Sequence, residues 1–478
     1  MCPLKSFFKE EVMKKIIIVY GDDLSVMQRK AIEQLSAFCL ESMHEYPVCY
    51  KYDETFDTTD ARLFYLGTKK NNPKIAQLST ATLTKAEEYY LNVKGDEIII
   101  EGFDDAGVLY GALDFYHHYI VQYIHYDARP GVFDMFAWDD WLEFTRQSAP
   151  AVQDRGLWTW GHVIYDYKKY FDHMMMLKMN RVVIWNDFAP FNANDMVEYA
   201  HACNIKIIWG FSWLWDTACN RVDPSKLEGK DVEILEKFDR EYAGIKGDGI
   251  YFQTFTELTE DNINGVVVAD AATNFVNKTA QLFFDKYPNL QIEFGLHATS
   301  VKDRLAAIAK VDPRIKIVWE DCGAFPFDYI ASKIDTFDET KEFVGQIANL
   351  RGRDDYFGVV TKGITNLDWG EFRHLTGRQN IGVSSQIMKK ETAAKRRMIW
   401  KYVQACWMIN SDKALEMVEE MRRLKDGNLS VDALVEDGVF EENVMFPVAL
   451  YAEMLWDTTT PLKTMMKYVA LRSYVTFA

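Results

Sequence analysis

Short apolar runs bounded by turn residues alternate with longer stretches of helical period over most of this chain. Apolar runs of four to eight residues between Gly, Asp and Asn read as buried strands, and apolar positions recurring every three to four residues read as helix faces. Residues 14–125 form a small α/β unit on this basis. KKIIIVYG is a strand, 24–42 a helix with Met27, Ile32, Leu35 and Leu40 on its apolar side, and RLFYLGT a second strand. YYLNVKGDEIIIEGF places two β runs around a Lys-Gly-Asp turn, which predicts a hairpin, and a helix over 105–123 closes the unit. The first 13 residues are a tail, and 126–153, rich in Asp, Pro and Gly, reads as a linker.

From residue 154 the texture becomes strictly alternating. Strands are predicted at 154–160, 180–187, 205–213, 249–257, 290–298, 314–322, 356–363 and 380–387, with helical patterns such as YKKYFDHMMMLKM between most of them. Eight strands interleaved with helices imply an α/β fold, a (β/α)₈ TIM barrel over 154–410. The segment 411–478, with ALEMVEEMRRL, VMFPVALYAEMLW and PLKTMMKYVALRSYV, is predicted to be a helical region packed on the barrel.

Composition narrows the partners. The chain has 478 residues, more than one core accommodates, and 48% apolar with 26% charged residues is a globular balance. A net charge of −17 without a lysine-rich run argues against nucleic acid or an anionic membrane as partner. The seven scattered cysteines show no CxxC spacing, and no apolar run is long enough to span a bilayer, so a cytoplasmic location is expected. An aromatic content of 14% suits a site that stacks the faces of sugar rings, and equally suits aromatic packing.

In a barrel of this kind chemistry gathers at the C-terminal ends of the strands. Polar and aromatic residues there are Asp154 and Arg155 on strand one, Asn186 and Asp187 on two, Trp213 and Trp215 on three, and Gln253 and Glu257 on four. His297 follows on five, Trp319, Glu320 and Asp321 on six, and Lys362 with Asp368 and Glu371 just beyond on seven. This describes a bowl of carboxylates floored by indoles. One carboxylic acid that protonates a leaving oxygen, facing a carboxylate that activates water, is the machinery of an inverting glycosidase. Glu257 beside Phe255 suits the acid and Asp368 the base. A divalent metal held by Asp187, His297, Glu320 and Asp321 is a weaker reading, because no tight ligand spacing supports it. The reading calls for no metal and no cofactor.

The segments GIYFQTFTE, YFDHMMMLKMNRVVIWNDFAPFN, VTKGITNLDW and ALYAEMLWDTTTPL resemble those of glycoside hydrolase family 67, the xylan α-glucuronidases. The resemblance covers about residues 154–470 and implies a TIM-barrel glycosidase with Glu257 as general acid and Asp368, preceded by Lys362, in the base pair. The family's lysine and arginine that hold the glucuronate carboxylate fall on Gln253 and Glu320, and its second basic glutamate falls on Ser384, leaving Asp368 alone or Glu371 as substitute. Glu320 would repel a sugar acid, so a neutral or amino sugar is the expected ligand. The expected partner is a small carbohydrate or oligosaccharide, with no nucleic acid and no membrane, and a homodimer is left open. The alternative is a carbohydrate-binding protein without hydrolytic activity, and a metal-assisted sugar isomerase or lyase is a third reading.

Overall fold

A computed structural model of the protein describes residues 14–43, 45–126, 143–214, 223–256, 258, 260–321, 336–365, 375–384, 386–425 and 427–478. The chain divides into two units, Met1–Pro150 and Ala151–Ala478.

The first unit is built of β1 (Lys15–Tyr20), α1 (Val26–Met43), β2 (Val48–Lys51), β3 (Ala61–Gly67), α2 (Pro73–Leu78), β4 (Tyr89–Lys94), β5 (Glu97–Gly102), α3 (Asp105–Tyr126) and β6 (Phe144–Ser148). Its six-stranded sheet runs β2-β1-β3-β5-β4-β6. β1 is apolar at consecutive positions because both faces are covered. Ile17 and Val19 join Tyr65, Ile75 and Ile99 on one side, and on the other Phe38 of α1 and Phe64 of β3 meet Phe115 of α3 edge-on. The predicted hairpin is present as antiparallel β4 and β5. Part of the predicted linker is instead an edge strand, β6, paired with β4. Its alternating exposed and half-buried residues lack the apolar run that marks a central strand.

The second unit is a closed barrel. Its strands are β7 (Asp154–Trp160), β8 (Arg181–Trp185), β9 (Lys206–Gly210), β10 (Gly249–Phe252), β13 (Ile292–His297), β14 (Ile315–Glu320), β15 (Phe357–Thr361) and β16 (Leu429–Leu434). The two-residue strands β11 (Asn262–Ile263) and β12 (Val266–Val267) form a small hairpin outside it. All eight neighbouring pairs are parallel, and β16 closes the ring against β7 and β15. The outer helices are α4 (Tyr167–Met176), α5 (Ala193–Ala202), α6 (Lys230–Glu241), α7 (Val268–Lys286), α8 (Leu305–Ile308), α9 (Phe337–Ala348) and α10 (Gln386–Leu424), which bends at Asn410. After β16 come β17 (Val444–Met445), α11 (Phe446–Trp456), α12 (Leu462–Ala470) and β18 (Val475–Thr476).

Two expectations are corrected here. The eighth strand is not 380–387: among the described residues there only Val383 makes an isolated bridge, to Asp166, and α10 begins at Gln386. The barrel therefore extends beyond residue 410 into the region expected to be purely helical. Strand four also ends sooner, at Phe252, because Phe255 turns the chain with φ of 56°. Glu257 thus lies in sequence beyond the strand rather than on it.

Side chains at alternate strand positions fill the barrel in layers. The lower layer holds Arg181 between Glu293, at 3.1 and 2.8 Å, and Asp432, at 3.1 Å from Nε. The upper layer is aromatic, with Trp158 within 6.1 Å of Trp160, Trp185 and Tyr251 by ring centroid. Small inward residues leave the room: a Cβ on Gly295 would stand 1.9 Å from Tyr251 Oη, and one on Gly156 1.9 Å from the Arg181 carbonyl oxygen.

Candidate active site

Continuing the inward parity to the C-terminal rim brings Gln253 after β10, His297 at the end of β13, Glu320 at the end of β14 and Lys362 after β15 into one cluster. Glu320 is its centre and is buried. Its Oε1 accepts the Tyr251 hydroxyl at 2.7 Å and the Gln253 amide, and its Oε2 lies 3.3 Å from Lys362 Nζ. Burial pushes the Glu320 pKa up, but Lys362, His297 and the Tyr251 hydroxyl outweigh it and hold the carboxyl below its ordinary value. Glu320 is therefore an anion at neutral pH. His297, side by side with it in the strand register, is pushed down to about 4 by burial and by Lys362, so its imidazole is neutral. A neutral ring offers one donor and one acceptor, a pairing suited to hydroxyl groups.

Asp321, the next residue, takes the opposite parity. Its Oδ1 accepts the Lys362 backbone N–H at 3.1 Å, and its own N–H donates to Val360 O, so it fixes the end of β15 instead of facing the mouth. Asn186 has a comparable bracing role. Its amide donates to Phe188 O, its N–H to Gly210 O at 2.7 Å, and its carbonyl accepts the Tyr242 hydroxyl. Asp187 accepts from Ser212 N and Lys237 Nζ. Among the described residues no group of three or more His, Cys, Asp or Glu side chains is arranged to hold a metal ion.

Four predicted site residues stand elsewhere. Asp154 and Arg155 are at the start of β7, the opposite end of the barrel from the strand C-termini. Asp154 accepts Tyr356 Oη at 2.9 Å and Lys206 Nζ at 3.2 Å, and the Arg155 guanidinium lies over Trp456 at 4.8 Å. Trp213 is fully buried, stacked on Phe252 at 3.6 Å and Phe283 at 5.4 Å, which leaves neither ring face for a sugar. Trp319 packs outward, edge-on against Phe343 of α9. Trp215, Glu257, Asp368 and Glu371 lie outside the described residues.

The floor of indoles exists, but other tryptophans make it: Trp158, Trp160 and Trp185. The signal was in the sequence, since Gly156, Trp158 and Trp160 alternate in DRGLWTW and so share a face. Glu436, two residues past β16, was also missed. Its Oε1 accepts the Trp160 indole N–H at 3.0 Å.

Neither a protein-family model nor a curated protein matches the chain. Solved structures do. A GH138 enzyme targeting pectin rhamnogalacturonan II matches at 13% identity and TM-score 0.48, over 88% of this chain and 46% of that one. A GH115 4-O-methyl-α-glucuronidase with specificity for decorated arabinogalactans matches at 13% and 0.53, over 93% and 56%. A β-N-acetylhexosaminidase from Bacteroides fragilis matches at 13% and 0.54, over 94% and 88%. The last two share its fold. The chain spans about half the length of the first two. The fold it has in common with the last two is an architecture found among glycoside hydrolases. No helix among the described residues is long and apolar enough to cross a membrane.

Proposed function

We propose that this chain is a glycoside hydrolase of the two-carboxylate, inverting kind, distantly related to family 67 and acting on a neutral or amino sugar. One observation carries the reading: Gln253, His297, Glu320 and Lys362 converge at the strand C-termini above Trp158, Trp160 and Trp185. Polar groups that grip hydroxyls, set over aromatic rings, are what a pyranose presents a match for. Glu257 is the general acid, donating its proton to the glycosidic oxygen as the bond to the anomeric carbon breaks. Asp368 is the base, taking a proton from the water that attacks that carbon from the opposite face, which inverts its configuration. The two carboxyl groups then stand about 6.5 to 9.5 Å apart.

The preference against sugar acids has a structural reason as well as a sequence one. Lys362 already faces Glu320 at 3.3 Å, so the cation nearest this cluster is matched by an anion. A uronate carboxylate entering here would meet Glu320.

Turnover of a panel of nitrophenyl glycosides bearing neutral, N-acetylated and uronic sugars tests the proposal. A neutral or N-acetylated sugar should be cleaved, and Glu257→Gln should lower kcat by about 10²- to 10⁴-fold. Preferential cleavage of glucuronides, or full activity in that variant, would overturn it. The second reading, a carbohydrate binder, draws on Gln253 and Ser384 standing at positions that are charged in family 67. Sugar binding without turnover in the unmodified protein would favour it.

A further inference from the structure

The chain between β10 and α7 carries Glu257 in sequence, and it is fixed from the loop after β13. Phe255 turns the chain with φ of 56°, and the Leu258 N–H closes that turn on Phe255 O at 3.2 Å. Further on, β11 and β12 form a hairpin whose Asn264-Gly265 corner has φ of 53° and 81°, and the Val268 N–H donates back to Asp261 O at 3.0 Å where α7 begins. Leu258 and Glu260, between turn and hairpin, belong to no strand or helix, and a side chain takes up their carbonyls. That side chain is Arg304, the last residue of the 3₁₀ helix Ala298–Arg304 that follows β13. Its Nη1 donates to Leu258 O at 2.8 Å and its Nη2 to Glu260 O at 3.1 Å, while Nη2 and Nε reach Asp261 Oδ1 at 3.1 and 3.3 Å. The Arg304 side chain is 10% exposed and that of Asp261 87%, so water screens the ion pair and the two carbonyl bonds set the geometry. A planar guanidinium suits this task because it offers several donors in fixed directions, which an ammonium does not. Arg351 grips Val311 O, Asp312 O and Ile315 O in the same manner at the N-terminal end of β14, away from the rim.

We propose that Arg304 is the positioning residue of the general acid: by holding the Leu258 and Glu260 carbonyls it fixes the chain that delivers the Glu257 carboxyl to the leaving oxygen. This rests on the reading of Glu257 given above. A general acid works only within hydrogen-bond reach of the atom it protonates, and a displacement of about 1 Å costs about a hundredfold in rate. Leu258 follows Glu257 directly in the sequence, so the first carbonyl that Arg304 holds is that of the next residue. The same guanidinium ties this segment to the loop that begins at His297, and so joins the acid's loop to the polar cluster at the mouth.

The test compares kcat for phenyl and dinitrophenyl glycosides of the sugar that the full chain cleaves, in the unmodified protein and in E257Q, R304Q, R304K and R351Q. A phenolate leaves poorly and needs a proton, whereas a dinitrophenolate departs as the anion and does not. Loss of the acid in E257Q should therefore slow the phenyl glycoside far more than the dinitrophenyl one. R304Q should show the same selectivity in smaller measure, slowing the phenyl glycoside about ten- to a hundredfold and the dinitrophenyl one less than about threefold. R304K keeps the charge without the fork and should fall between. R351Q loses three carbonyl bonds far from the rim, and should lower stability in urea while leaving the ratio of the two rates unchanged. Equal slowing of both substrates in R304Q, or the same change of ratio in R351Q, would overturn the Arg304 assignment alone. Equal slowing of both in E257Q would overturn the reading of Glu257, and absence of cleavage by the unmodified protein would overturn the hydrolase reading itself. If R304Q does not fold, R304K decides, and a ratio equal to that of the unmodified protein overturns the assignment.

Discussion

Replacing Tyr251 by Phe deletes one oxygen from the centre of the cluster and leaves the ring packing in place. The Tyr251 hydroxyl donates to Glu320 at 2.7 Å, and the residue is fully buried beside Trp158 and Trp185, with ring centroids at 6.0 and 6.2 Å. A hydrogen bond to a charged acceptor contributes about 1.5–3 kcal/mol. Glu320 keeps Gln253 and Lys362, and Phe brings no new polar group to be satisfied, so the lower part of that range applies: about 1.5–2 kcal/mol at pH 7. The pH dependence follows from linkage. Glu320 has a folded pKa below its unfolded one, so its ionisation stabilises the fold above the ordinary glutamate pKa. That contribution is lost as pH falls through the folded value. Because the Tyr251 bond is to the ionised form, the cost of Tyr251→Phe should shrink on acidification. Urea unfolding followed by the fluorescence of the barrel tryptophans, from pH 7 down to about pH 3, below the ordinary glutamate value, measures both quantities. A loss below about 0.5 kcal/mol at pH 7, well short of a charged hydrogen bond, or a loss that grows toward about pH 3, would refute the reasoning.

Two further outcomes are expected. Arg181→Met removes the cation that faces Glu293 and Asp432 deep in the barrel, where all three side chains are at most 2% exposed. Leaving two buried carboxylates without it should cost about 3–5 kcal/mol in urea unfolding, and a loss under about 1 kcal/mol would show that the network does not hold the barrel base together. His297 resists protonation when folded, so its contribution is present above the unfolded pKa of 6.5 and is lost as pH falls toward about 4. His297→Gln should flatten the decline in stability over that window by at most about 3 kcal/mol, and by less because the ring is partly exposed. An unchanged pH profile would rule out that depressed pKa.

How far the chain could be read in advance depends on whether a feature is local. The isoleucine run of β1, the hairpin of β4 and β5, and the first seven barrel strands follow from apolar runs and turn residues, because a parallel strand covered on both faces is apolar at nearly every position. Gln253, His297, Glu320 and Lys362 were also within reach, since a period of two carries the inward face to the last residue of β13 and β14 and one step past the end of β10 and β15. Which eight strands close the barrel was not a local matter. Leu429–Leu434 turns Ser430 and Asp432 inward and follows a 39-residue helix, so its pattern resembles neither an apolar strand nor a helix face. Only pairing with β7 and β15, whose partners lie more than seventy residues away or at the other end of the unit, makes it a strand. The same non-local pairing decided that Trp158, Trp160 and Trp185 floor the mouth while Trp213 and Trp319 pack against helices, and it brought Glu436 to Trp160. Sequence alone determined the alternation of elements and the parity within each strand, because backbone geometry and burial act over a few residues. Tertiary structure decided ring membership and therefore which polar groups meet, because closing a barrel is a condition on all eight strands at once.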